Sequence, residues 1–207
     1  IMQPYYFEDL LEVGVDEVAR GCMAGPVYTA AVIWPKDLEN DLILKDSKKY
    51  SKRQRLILKD YIEENAIDFN VTSETNQTID EINILNATLK SMHNSIRGLN
   101  MEVDHILVDG TMFNDYYDSN GTLVPNTCFV NGDARYTPIA CASILAKVYH
   151  DNYIEKLCED NPDFNRYGWS SNMCYGTSEH FKAIHTYGIT NHHRRTFGIC
   201  RDYEPPQ

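Results

Sequence analysis

Asp16 and Glu17 are adjacent carboxylates that close the apolar run Leu11, Val13, Val15, and Arg20-Gly21 follow shortly after. Neighbouring acids repel each other, and at the buried end of a strand they also lose hydration, so a fold keeps such a pair where a cation or a substrate compensates it. Two further acids occupy the same kind of place: Asp109 closes Ile106-Leu107-Val108 before Gly110, and Asp133 follows Cys128-Phe129-Val130 and precedes Ala134. An Asp beside glycine is usually a turn former, and each of these alone reads that way. Taken with Asp16-Glu17 they make four strand-end carboxylates, an all-oxygen donor set that suits hard divalent ions such as Mg²⁺. Their convergence on one metal and catalytic centre is the expectation.

Bringing strand ends together requires a sheet. Strand patterns fall at about 11–16, 27–34, 66–73, 105–109 and 126–130. Between them, Ser51 caps a helix running to about Glu64, and Thr78 is read as the cap of a second, with Glu81 three residues on as in a capping box. A third helix spans about Ile139 to Cys158, and Ser178 opens a fourth with Phe181, Ile184 and His185 on one side. The order ββαβαβαβα predicts an α/β fold, one mixed sheet covered by helices. Residues 1–200 are read as one catalytic domain, with a helical C-terminal part from about 165 and a loose tail over 201–207 ending in Pro205-Pro206.

At 207 residues and 43% hydrophobic, the chain is long enough to bury one full core. It contains no run of 18 apolar residues and no basic region leading into an apolar stretch, so the expectation is a soluble cytoplasmic protein without membrane association. The six cysteines form no C-x-x-C pair and read as free, mostly buried thiols. His192-His193 invite a zinc reading, but with no acid or thiol at ligand spacing a surface role is the expectation. A net charge of −11 argues against a nucleic-acid partner until its distribution is considered. Residues 45–59 carry Lys45, Lys48, Lys49, Lys52, Arg53, Arg55 and Lys59 against Asp46 alone, and 182–201 carry Lys182, Arg194, Arg195 and Arg201 with no acid. Basic residues concentrated in this way fit a surface that follows phosphates, although a run such as 52–59 is equally the solvated face of a helix.

Ten segments carry a family resemblance in order and spacing: Gly14-Val15-Asp16-Glu17, Arg20-Gly21, Ala24-Gly25-Pro26-Val27, Asp46-Ser47-Lys48-Lys49, Asn83 to Leu89, Val108-Asp109-Gly110, Gly132-Asp133-Ala134, Ala142 to Val148, Tyr175-Gly176-Thr177 and His193 to Phe197. From about residue 12 to 198 the chain resembles the type 2 ribonuclease H family, ribonuclease HII. The resemblance implies a ribonuclease H-like fold with a mixed five-stranded sheet. It also implies endonucleolytic hydrolysis of the RNA strand of RNA/DNA hybrids and cutting on the 5′ side of ribonucleotides embedded in duplex DNA. Two Mg²⁺ or Mn²⁺ ions are the implied cofactors, the products carry 3′-hydroxyl and 5′-phosphate ends, and the chain is expected to act as a monomer. No clamp-binding peptide is evident in its tail. The type 3 enzymes fit less well, because their acid pair is not followed by Arg-Gly.

By the same resemblance Asp16 bridges both ions, Asp133 helps to hold the one that presents water, and Glu17 and Asp109 serve the one at the leaving oxygen. Ala19, Arg20 and Gly21 stand where the family carries Gly-Arg-Gly, whose main chain and Arg contact the 2′-hydroxyl and nearby phosphates. Here Ala replaces the first glycine and Cys22 the usual proline; the contact is expected to survive if Ala19 has a negative φ. Tyr175 matches the tyrosine that packs on the sugar after the junction. Lys48, Lys49, Asn83, Lys147, Arg194 and Arg195 are the phosphate candidates, although Asn83 could equally cap its helix. Ser143 and Asp151 lie on one helical face with Lys147, Asp151 as a supporting acid or a simple ion pair. The other readings are a structure-selective DNA nuclease or strand-transfer enzyme on the same fold, and a non-catalytic hybrid-binding module.

Overall fold

A computed structural model describes residues 2–38 and 49–207. Its main sheet has five strands in the order β3-β2-β1-β4-β7: β1 (Glu12–Val18), β2 (Val27–Ile33), β3 (Asp68–Glu74), β4 (His105–Asp109) and β7 (Asn126–Phe129). β1 to β3 form an antiparallel meander, while β4 lies parallel to β1 and β7 parallel to β4. The parallel half matters most for function, because it brings the C-terminal ends of β1, β4 and β7 to the same edge. Val15 pairs with Val108 and Asp109 with Phe129.

Alternation along β1 and β2 divides the core between the two faces. Val13, Val15, Ala31 and Ile33 pack with Met92 and Ile96 of α2 (Asn76–Arg97). Ala30 and Val32 pack with α1 (Lys52–Asn65) and with Ala142, Leu145 and Ala146 of α3 (Thr137–Asp160). The approach of α3 depends on Gly14, where a Cβ would stand 2.3 Å from the carbonyl carbon of Pro138 and 2.4 Å from the nitrogen of Ile139. A methyl there would push the helix off the strand, and with it Ser143 and Lys147. Ser51 caps α1 with the full reciprocal capping box to Gln54.

Three expectations need correction. The cap of α2 is Thr75, not Thr78: the Thr75 hydroxyl accepts from the Thr78 N–H at 3.2 Å, one turn earlier than read. Between β4 and β7 the described residues form no helix but a hairpin of β5 (Tyr116–Tyr117) and β6 (Leu123–Val124), its turn closed by Asp118 accepting from the N–H groups of Asn120 and Thr122. The tail expected from 201 is tied down further along, since the Arg201 Nε donates to the Thr196 carbonyl and the Tyr203 hydroxyl bonds His185 Nδ1. The C-terminal part is helical as expected, a short turn Trp169–Asn172 preceding α4 (Ser178–Tyr187), with Thr177 as its cap. It packs as a second cluster around Trp169, Ile184, Cys22 and Ile154. The six cysteines are free, and among the described residues no helix is long and apolar enough to cross a membrane.

Candidate active site

At the edge where β1 and β4 end, one carboxylate oxygen each from Asp16, Glu17 and Asp109 lie within 4.8 Å of one another. Strand alternation alone would send Asp16 and Glu17 to opposite faces, so the pair straddles the end of the sheet. Asp133 enters from the turn Gly132–Ala134 after β7, where its N–H donates to Asp109 Oδ1 at 3.2 Å, and it lines the same cleft without joining the tight group of three. Burial pushes the Asp16 carboxyl well above the usual carboxylate range, and the charges of Glu17 and Asp109 raise it further. Glu17 is also raised, by burial first, while Asp16 and Arg20 counteract the shift. A floor that is all oxygen, buried and self-repelling fits a hard divalent cation, whose charge would remove the repulsion that the fold otherwise bears.

The cleft, of about 510 Å³, is lined by these four acids and by the 19–21 segment, Ser143, Lys147, Tyr175 and Arg55. Arg55 was not singled out from sequence; it was one charge in the 45–59 run, and among the described residues of that run it is the one that lines the cleft. Lys147 is held by Asp151 at 2.9 Å, and His150 Nδ1 bonds the same carboxylate at 3.0 Å. Burial raises the Asp151 carboxyl, but hydrogen bonds from His150 and Lys147 outweigh it and keep it below its ordinary value. Asp151 is thus a buried acid that orients Lys147.

Ala19 departs from expectation. Its φ is +72°, in the left-handed region, which costs an L-residue about 1–2 kcal/mol. The contacts around it hold it there. Its carbonyl accepts from the Arg194 guanidinium at 2.8 Å, and its side chain is buried. The segment therefore has the backbone shape that glycine would give, reached by an alanine braced by the Arg194 guanidinium and by its own burial. Cys22 is fully buried, donates weakly to the Met173 carbonyl at 3.4 Å, and has its thiol pushed up to about 12 by burial. Burial also raises the Tyr175 hydroxyl, with Cys22 beside it.

Several phosphate candidates lie elsewhere. Arg194, expected on the surface track, is fully buried and donates to three backbone carbonyls. Asn83 sits outside the cleft at a break in α2 (φ 72°, ψ 167°), where its Oδ1 caps the second half of the helix by accepting from the Asn86 N–H at 2.9 Å. Arg195 is exposed but off the cleft, 3.5 Å from Glu204. Lys49 is exposed before α1, and Lys48 lies outside the described residues. His193, given a surface role from sequence, is buried against His180, because the 190–194 segment runs beneath the cleft wall.

Antiparallel β1–β3 continued by parallel β4 and β7, with acids at the parallel strand ends, defines a ribonuclease H-like hydrolase. Comparison with known proteins narrows the class. A family model described as Ribonuclease HII matches residues 13–200. Ribonuclease HII of Bacteroides thetaiotaomicron is 44% identical over 98% of this chain and 96% of its own. The crystal structure of the ribonuclease H2 from Pyrococcus horikoshii superposes with a TM-score of 0.75 at 25% identity, covering 92% of this chain and 95% of that one. A ribonuclease HII from Archaeoglobus fulgidus, solved in complex with PCNA, has the same fold at a TM-score of 0.70 and 22% identity, over 91% of this chain and 96% of that one. The chain belongs to the ribonuclease HII family and is a type 2 ribonuclease H, a hydrolase of the RNA strand of RNA/DNA hybrids.

Proposed function

We propose that Asp16, Glu17, Asp109 and Asp133 hold two divalent ions, Mg²⁺ or Mn²⁺, and that the enzyme cuts on the 5′ side of ribonucleotides embedded in DNA as well as within continuous hybrid. The observation that carries this reading is the meeting of three carboxylates within 4.8 Å on the floor of a cleft whose wall is the 19–21 segment and Tyr175. When bound, such ions supply an activated water and stabilise the leaving 3′ oxyanion. The protein's part is placement. Asp16, the most buried of the four, anchors the centre, and Asp133 approaches from the turn after β7, beside Asp109. Arg20 and Gly21 are exposed at the rim beside the acids, placed to meet the 2′-hydroxyl and adjoining phosphates, the atoms that distinguish RNA from DNA at one position. Tyr175 packs on the neighbouring sugar, and Lys147, oriented by Asp151, meets the backbone with Arg55. Ser143 lines the cleft between them.

The DNA-directed and non-catalytic readings are set aside, since the full acid set stands beside a segment suited to a 2′-hydroxyl. The direct test is Asp16→Asn assayed on a continuous hybrid at saturating Mg²⁺. Loss of at least about a hundredfold in kcat with hybrid binding retained is expected for a group that stabilises the transition state. Activity within a few-fold of the wild type would remove Asp16 from the catalytic set.

A further inference from the structure

Arg194 is 0% exposed, and its guanidinium is spent on backbone carbonyls: Nη2 donates to Ala19 at 2.8 Å, Nη1 to Arg20 at 2.9 Å and Nε to Gly25 at 3.0 Å. A buried cation is costly, and a well-packed apolar side chain would fill the same volume without that cost. What only a guanidinium provides is a rigid planar fork that engages several acceptors at fixed angles. Two of the acceptors belong to consecutive peptide planes, 19–20 and 20–21. In a trans peptide the C=O and N–H point in opposite directions. With both carbonyls drawn inward to Arg194, the N–H groups of Arg20 and Gly21 are turned outward, to the side on which those two residues line the cleft.

We propose that Arg194 is a positioning residue that fixes the 19–21 segment with two backbone N–H donors facing the substrate, and so sets discrimination for a lone ribonucleotide. The inference rests on the reading that 19–21 contacts the ribonucleotide. Arg194 acts through the backbone and does not itself touch nucleic acid. Its brace is needed here because position 19 is alanine, which favours negative φ once the carbonyl is released. The preceding residue steadies the Tyr175 part of the cleft wall. The Thr190 N–H donates to His193 Nδ1 at 2.8 Å, His193 Nε2 bonds His180 Nε2 at 2.9 Å, and His180 Nδ1 bonds the Tyr175 carbonyl at 3.0 Å. One segment, 190–194, therefore anchors both the 19–21 backbone and Tyr175 at the proposed sugar site.

The test compares wild type, Arg194→Lys, Ala19→Gly and the double variant on two duplexes, one with a single embedded ribonucleotide and one a continuous hybrid. Lysine keeps the charge but loses the fork. Arg194→Lys is expected to lose about tenfold in kcat/KM on the single-ribonucleotide duplex and under about threefold on the hybrid, one aligned contact being worth a factor of that order. Adding Ala19→Gly should restore about threefold or more of the junction activity, because glycine holds a positive φ without the brace. If Arg194→Lys does not fold, folding of the double variant supports the role and failure of both overturns it. Equal losses on the two duplexes without recovery, from a wild type that prefers the ribonucleotide junction, overturn this inference alone. A wild type indifferent to the ribonucleotide overturns the site reading and this inference with it.

Discussion

Asp16 is under electrostatic strain, because desolvation and two neighbouring acids all oppose its charge. Its folded pKa lies above the unfolded value, so the stability it contributes is present below the unfolded pKa and is lost as pH rises through the folded one. Above the unfolded pKa the Asp16 carboxyl is therefore a burden in the metal-free protein. Asp16→Asn keeps the acceptor for the Glu17 N–H, a 2.7 Å bond, and removes the charge. In thermal melts of the metal-free protein at pH 7 the variant should melt about 2–4 °C higher for each kcal/mol of repulsion relieved, and the gain should shrink as pH falls towards 4. A lower melting temperature at pH 7 would mean that the repulsion has been misjudged. The acids were legible in the sequence as strand-end carboxylates, whereas the conformation of Ala19 was not. Residue type biases φ, and at this position the bond to Arg194 and the burial of the side chain override the bias.

Among the elements, the sheet strands and α1, α3 and α4 were readable from their apolar patterns, with Ser51 and Thr177 marking the starts of α1 and α4. The kink at Asn83 and the hairpin before β7 were not, since both come from local turn chemistry inside otherwise plausible patterns. Least legible was the segment over 190–194, where His193 and Arg194 look like surface residues and are buried. Its histidines give it a pH response. Burial, then the neighbouring His180 and His192, hold His193 down at about 3, and burial lowers His180 too. A depressed histidine stabilises above its unfolded pKa, near 6.5, and that contribution is lost as pH falls towards the folded value. By pH 5 the cost for His193 is about 2 kcal/mol, or about 4–8 °C in melting temperature. His193→Gln should be less stable than wild type at pH 7 but flatter between pH 7 and 5. A variant with the same acid slope as wild type would place the sensitivity elsewhere.

For the whole molecule, an acidic protein of net charge −11 must bind a polyanion, and the solution is segregation. Acids fill the floor of the cleft, where cations belong, while Arg20, Arg55 and Lys147 line its wall and Lys49 is exposed before α1. Binding should weaken steeply with salt as phosphate contacts release counterions, and Lys48→Ala with Lys49→Ala should flatten the slope of log affinity against log salt by about two. An unchanged slope would move the phosphate track away from that run. Charge segregation was visible in the sequence, but which cations face the cleft was not: of the two basic stretches, the C-terminal one supplies Arg194 to the interior and Arg195 to a surface pair. The central claim, an enzyme whose acids cut where a 2′-hydroxyl is recognised, is tested most directly by mapping cleavage on a DNA duplex with one embedded ribonucleotide beside an identical all-DNA duplex. With Mg²⁺ or Mn²⁺ present, a single cut on the 5′ side of the ribonucleotide, leaving a 3′-hydroxyl and a 5′-phosphate, and an intact all-DNA control are predicted. Equal cutting of the two duplexes, or undiminished cutting under chelation, would contradict the account.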